Sequence, residues 1–241
     1  MKIFKLFTLI LTGVIFMSTA TLINAQEIKG NGNVVQETRS VTSFDKIRSD
    51  GVMNITLIQG DTDFVIVEAD KNLQPVIITK VTDNKLIITT KEDAEIKKST
   101  KLNIYITFKN IDKLELNGVG NVKSQNQLNL KILTIENNSV GNIDLNLDCD
   151  KIILENNSVG NAEFSGKVNE FNIELNSVGN LKAFDLTAQT LNIESNAIGN
   201  AEITCDKEIT ITQNGLGNIS YKGNAVVKKL DKSGFGNVKK M

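Results

Sequence analysis

The stretch Asn138-Ser139-Val140-Gly141-Asn142 recurs as Asn157-Ser158-Val159-Gly160-Asn161 and again as Asn176-Ser177-Val178-Gly179-Asn180. Looser copies flank it: Asn117-Gly118-Val119-Gly120-Asn121, Asn196-Ala197-Ile198-Gly199-Asn200, Asn214-Gly215-Leu216-Gly217-Asn218 and Ser233-Gly234-Phe235-Gly236-Asn237. The shared glycines stand 21, 19, 19, 20, 18 and 19 residues apart. A period this regular marks stacked structural units.

Around each Gly-Asn pair the apolar residues alternate. Leu133/Ile135, Ile152/Leu154, Phe171/Ile173, Leu191/Ile193 and Ile209/Ile211 precede it, and Ile143/Leu145/Leu147 or Ala162/Phe164 follow it. Period-two alternation in short runs is strand. One repeat is therefore a strand, a Gly-Asn corner, a strand and a less regular return. Such a unit cannot bury its inner face alone, whereas stacked coils share a continuous core. Leucine-rich, hexapeptide and calcium-binding nonapeptide repeats each demand a pattern that is absent here. The expected fold is all-β: a right-handed parallel β-helix-like solenoid with about 19 residues per coil.

Corner chemistry supports that choice. Glycine adopts positive φ without penalty, and asparagine tolerates it better than most residues. Coils stacked about 4.8 Å apart let side-chain amides bond from coil to coil. The expected ladder is Asn121, Asn142, Asn161, Asn180, Asn200, Asn218 and Asn237, set on the corner glycines Gly120, Gly141, Gly160, Gly179, Gly199, Gly217 and Gly236. A second asparagine column stands three residues before the glycine. Five residues before it runs an acidic stripe, Glu115, Glu136, Glu155, Glu174 and Glu194. The plainer reading of the stripe is a solvated face that discourages sheet stacking. The sharper one is a surface for a divalent cation or a basic partner.

The first 25 residues have the form of an export signal: Lys2 and Lys5, an apolar Leu6 to Phe16, then Ile23-Asn24-Ala25 as a cleavage site. Residues 26–39 read as a flexible leader containing Gly30-Asn31-Gly32-Asn33, and 40–241 as a single β-solenoid domain. Within it, 40–112 is strand-rich without the period and 113–241 holds the repeat coils. The irregular half is expected to cover one solenoid end, which would otherwise expose core and strand edges. Lys91 to Lys101 reads as a charged surface loop. Cys149 and Cys205 fall three coils apart, roughly 14 Å along the axis at strand spacing, too far for a disulfide. Two free, buried thiols are expected.

The order of the motifs resembles the “putative auto-transporter adhesin, head GIN domain” family of exported bacterial proteins. The resemblance rests on Arg39-x-Val41-x-x-Phe44-Asp45-x-Ile47, then Gly51-Val52-x-x-Ile55-x-Leu57-x-Gln59-Gly60, Val67-Glu68-Ala69-Asp70 and the later Gly-x-Gly-Asn corners. It implies a single right-handed β-helix-like domain and brings no catalytic residues with it. The corners depart from the family in using Ser-Val-Gly-Asn where Gly-Ser-Gly types are common.

Composition narrows function further. The chain has 241 residues, no His, no Trp and one Pro, with 27 basic and 28 acidic side chains. Without histidine it cannot assemble Ser-His-Asp or Cys-His catalysis or the usual zinc sites. A net charge of −1 argues against nucleic acid as partner. Only Arg39 and Arg48 are arginines, so guanidinium clamps are scarce. The expectation is a non-enzymatic exported envelope or surface protein, adhesin-like or scaffolding. It would use no cofactor and no metal, have no transmembrane segment once the signal is removed, and face an envelope, glycan or protein partner. Self-association through the solenoid end is a further expectation. The alternative is a polysaccharide-acting β-helix enzyme, a lyase or hydrolase; fold analogy alone favours it, and no arginine lies in the repeats.

Overall fold

The alternation read from the repeats becomes strands in the computed structural model, which describes residues 26–241. The export signal expected over 1–25 lies outside the described residues. The first half contains β1 (Gln26–Lys29), β2 (Val34–Ser40), β3 (Lys46–Ser49), β4 (Asn54–Gln59) and β5 (Phe64–Asp70). A 3-10 turn at Gln74–Val76 leads to β6 (Ile77–Thr82), β7 (Lys85–Thr90), β8 (Ala94–Lys98) and β9 (Leu102–Phe108). The second half contains β10 (Lys113–Leu116), β11 (Val122–Ser124), β12 (Leu128–Asn137), β13 (Ile143–Asn156) and β14 (Ala162–Leu175). After these come β15 (Leu181–Ser195), β16 (Ala201–Gln213), β17 (Ile219–Lys222), β18 (Val226–Lys232) and β19 (Val238–Lys240).

The repeats stack as parallel coils in register. One core column runs Leu86, Ile47, Leu114, Ile135, Leu154, Ile173, Ile193, Ile211 and Leu230, each residue directly opposite the next. All but Leu230 are buried. At about 1.5–3 kcal/mol for each fully buried Leu or Ile, such columns are the main force holding the stack. Phe164 and Phe171 meet edge to face across the core, centroids 6.0 Å apart.

The less regular return expected within each coil is kept between β11 and β12 and between β17 and β18, but is absent from the coils of β13 and β14. β13 and β14 are continuous strands of 14 residues. Their inward side chains change parity once, because Asp150 and Lys151, like Asn169 and Glu170, point outward in succession. One strand thus supplies both faces of a coil and the bend between them.

The first half differs more from expectation. β3 and β4 lie parallel and in register with β10 and β11, so Lys46–Gln59 is itself a coil. β7 and β9 form another coil on the far side of β3 and β4. Coil order therefore departs from chain order: β3 and β4 build the second coil, β7 and β9 the first, and β10 and β11 the third. Antiparallel strands close this end, with β6 on β7 and with β5 and β2 stacked outward from β9. The expected flexible leader is ordered instead, with β1 paired to β8 in a small parallel sheet. β8 occupies the tract expected to be a charged surface loop.

Asp70 fastens these pieces. Its buried carboxylate accepts from the backbone N–H groups of Gly32 and Thr100, 2.6 and 2.7 Å, and from the Thr100 hydroxyl at 2.9 Å. The Thr100 N–H contributes most to holding its pKa below the usual range, against the opposing effect of burial. Arg39 spans from β2 to the 3-10 turn, donating to the carbonyls of Gln74 and Ile77.

Cys149, Val168, Ala188 and Cys205 follow one another in register, so the two cysteines stand three rungs apart, free and buried. Burial pushes the Cys149 thiol up to about 11 and raises that of Cys205.

Candidate functional site: the corner ladders and their ends

Each corner glycine has φ near +145°, and a Cβ on Gly160 would sit 2.1 Å from the Gly141 carbonyl oxygen. Backbones of successive corners therefore approach as only glycine permits. That approach aligns three columns of side chains along the axis.

The column after the glycine is knit by backbone donors. The N–H groups of Asn142, Asn161, Asn180, Asn200, Asn218 and Asn237 each donate to the Oδ1 of the asparagine one coil earlier, at 2.9–3.0 Å. Among the described repeat corners, amide-to-amide bonds in this column join Asn180 to Asn161 and Asn218 to Asn200. The column three residues before the glycine is the true amide ladder. Nδ2 of Asn138, Asn157, Asn176, Asn196 and Asn214 reaches the preceding Oδ1 at 2.9–3.1 Å.

Both columns point their donors toward the antiparallel end, and both finish on a carboxylate. Asn117 Nδ2 donates to Asp50 Oδ1 at 3.0 Å, and Arg48 Nε holds the other oxygen of Asp50 at 2.8 Å. In the first column Asn121 N–H donates to Asn54 Oδ1, Asn54 Nδ2 to Asn103 Oδ1, and Asn103 Nδ2 to Glu68 Oε2 at 2.7 Å. Tyr105 Oη and Lys101 Nζ also donate to Glu68, at 3.2 and 3.3 Å. The bond from Asn103 leads in holding the Glu68 pKa below the usual carboxylate range. A run of aligned donors needs a terminal acceptor, and an ionised one is the strongest available.

Asp50, Asn54, Glu68 and Asn103 were not among the expected site residues. A signal for two of them exists. Val52 pairs with Val119, so Asp50-Gly51-Val52-Met53-Asn54 is an eighth corner matching Asn117 to Asn121. Met53 replaces the diagnostic glycine there. It fits because no corner bridges Val52 from the other side among the described residues: the chain between β7 and β9 departs into β8.

The third column is apolar. Val52, Val119, Val140, Val159, Val178, Ile198, Leu216 and Phe235 form a continuous ridge of parallel bridges, each 46–79% exposed. It runs between the two asparagine columns along every corner.

The acidic stripe is in register from Glu115 to Glu194. Its members differ in surroundings. Burial raises the Glu115 pKa, but Lys85 and Lys113, at 2.8 and 3.2 Å, together bring it below the usual range. Glu136 pairs with Lys113 at 2.8 Å. Glu155 and Glu174 each accept from the ladder asparagine two residues on. Glu155, Glu174 and Glu194 line a shallow depression of about 450 Å³ with Asn172 and Asn192. Among the described residues no three acidic or sulfur side chains converge on a point that would hold a metal ion.

The family model described as “Putative auto-transporter adhesin, head GIN domain” matches residues 43–225. The chain belongs to that family. A solved structure of a “putative adhesin” from Bacteroides fragilis is 27% identical, with a TM-score of 0.86 over 89% of this chain and 100% of the other. A “putative lipid binding protein” from Parabacteroides distasonis (20% identity, TM-score 0.67, 89% and 100% covered) shares the fold. So does a “putative adhesin” from Parabacteroides merdae (21%, 0.64, 90% and 100%). The curated proteins contain no match to this sequence. Among the described residues, no helix is long and apolar enough to cross a membrane.

Proposed function

We propose that this protein is a non-enzymatic exported module that binds a partner at the cell envelope or surface through the long side of its solenoid. The observation that carries this reading is the exposed ridge from Val52 to Phe235. Eight aliphatic or aromatic side chains left in water in one line form the kind of contiguous apolar surface that marks an interaction site. The amide columns beside it hold their geometry through coil-to-coil bonds, so the ridge is presented on a pre-organised support, which lowers the ordering cost of binding. The export-signal pattern and the adhesin description of the family support the location.

The test is retention of purified protein on isolated envelopes of its own cell type. Combined Val140→Thr, Val159→Thr and Val178→Thr changes keep the β-branched shape and remove the apolar surface. Retention is expected to fall several-fold with the melting temperature little changed. Equal retention would count against the ridge. Release of new reducing ends from a glycan panel would instead favour the polysaccharide-acting enzyme.

A further inference from the structure

Where the repeat coils meet the antiparallel end, the outer sheet surface holds a second, more polar feature. Asn103 and Tyr105 of β9, Asn54 and Thr56 of β4, and Asn121 and Lys123 at the start of β11 line a groove of about 500 Å³. A neighbouring depression of about 310 Å³ shares Asn54 and Asn103 and reaches Lys101. These volumes match ordinary small-ligand pockets. Together they make a two-lobed groove divided by one asparagine pair.

The hydrogen bonds already made decide what the groove offers a ligand. Tyr105 gives its proton to Glu68, leaving the phenolic oxygen as an acceptor above a half-exposed ring. Asn54 uses Oδ1 for Asn121 and Nδ2 for Asn103, which leaves one N–H. Asn121 uses Oδ1 for Asn142, which leaves both N–H groups. The Lys123 ammonium makes no ion pair among the described residues, although Asp144 is opposite it on β13. Glu68 already accepts from three donors. The free valences are therefore mostly donors, grouped around one aromatic ring and one unpaired cation.

We propose that this groove is a saccharide site for a short oligosaccharide bearing carboxylates, as in glycans that contain uronic acids. Sugar hydroxyls and ring oxygens supply the acceptors that the amides lack, and the apolar face of a pyranose suits a tyrosine ring. A sugar carboxylate pairs with Lys123, and two lobes take two adjoining units. The inference deepens the surface-module reading above by naming a ligand class and a place for it. The larger lobe lies off the ridge, and the smaller one touches it only at Val52 and Val119, outside the Val140 to Val178 stretch varied above.

The experiment is calorimetric titration of the purified protein with uronate oligosaccharides of two to four units. Carboxyl-reduced, neutral versions of the same sugars serve as the comparison. The uronate form is expected to bind at least tenfold tighter than the neutral form. Lys123→Gln is expected to erase that preference, and Tyr105→Leu to weaken binding of both forms. Should Tyr105→Leu fail to fold, chemical shifts of the wild-type protein on titration locate the sugar, and perturbations centred on Asn54, Asn103 and Asn121 are expected. Absence of binding, equal affinity for both forms, or perturbations elsewhere would each overturn the proposal. Envelope retention without sugar binding would overturn the groove assignment and leave the surface-module reading standing; sugar binding without retention would do the reverse.

Discussion

The two halves of the molecule solve the same problem with different chemistry. In the repeat half, parallel coils in register join polar columns through neutral amides and backbone donors, with each rung satisfying the next. In the first half, antiparallel strands, both arginines and the buried or half-buried carboxylates Asp50, Glu68 and Asp70 close the stack. A ladder of neutral groups can be extended by repetition but needs something different at its end. Here that is charge. The repeats should accordingly be intolerant of steric change and, apart from Glu115 and Glu170, whose lysine partners also hold their pKa values down, little affected by pH; the closing half should be the opposite.

The largest expected effect tests the steric side. Gly160→Ala places a methyl group 2.1 Å from the Gly141 oxygen at φ +143°, whereas Gly32→Ala at φ +81° meets nothing within 4 Å. The first should cost roughly 3–5 kcal/mol, because backbone must move or the strained conformation is lost. The second should cost about 1–2 kcal/mol, the ordinary penalty for a Cβ in that region. Chemical unfolding of both variants measures the difference, and similar costs would break the contrast.

A smaller effect tests charge. Glu68→Gln keeps an acceptor for Asn103 but loses the ionised terminus, at about 1–2 kcal/mol at neutral pH. Asn157→Ala, inside the ladder and exposed, should cost less, about 0.5–1 kcal/mol. Glu68, Asp70 and Glu115 all have folded pKa values held below their usual range. The stability they add is therefore present above the unfolded carboxylate pKa, about pH 4. It is lost as pH falls through the lower folded values. Melting temperature should drop below about pH 4, with a shallower drop in Glu68→Gln, and pepsin at pH 3 should cut first within residues 26–112. First cuts in the repeats would reverse the assignment of roles.

The smallest effect concerns the thiols. Cys149 and Cys205 lie buried in the core, with burial raising the pKa of each. They should resist alkylation in the native state at pH 8, and reducing agent should leave both mass and melting temperature unchanged. A gain of two hydrogens on reduction would refute the coil register itself.

Much of the repeat half was legible in advance because its rules are local. Alternation puts Leu154 inside and Glu155 outside whatever lies beyond, and Gly160 marks its corner by residue type alone. The ridge was equally visible as a column of Val, Ile, Leu and Phe, but periodicity does not say whether a corner side chain tucks in or stands out. The eighth corner hid because Met53 holds the glycine position. The site at the antiparallel end was the least legible, since Asn103 and Glu68 have no sequence pattern in common with Asn121.

The sequence by itself determined the period, the strands, the corner conformation and the separation of the two cysteines, because each follows from single-residue preferences repeated at fixed spacing. Only the tertiary structure decided the order of the first coils, the carboxylates on which the ladders end, and the groove beside them. Those features depend on pairings such as Asn117 with Asp50, 67 residues apart, and Asn103 with Glu68, 35 apart across antiparallel strands. No local preference encodes them; they arise when the chain turns back to bury the open end of its own stack.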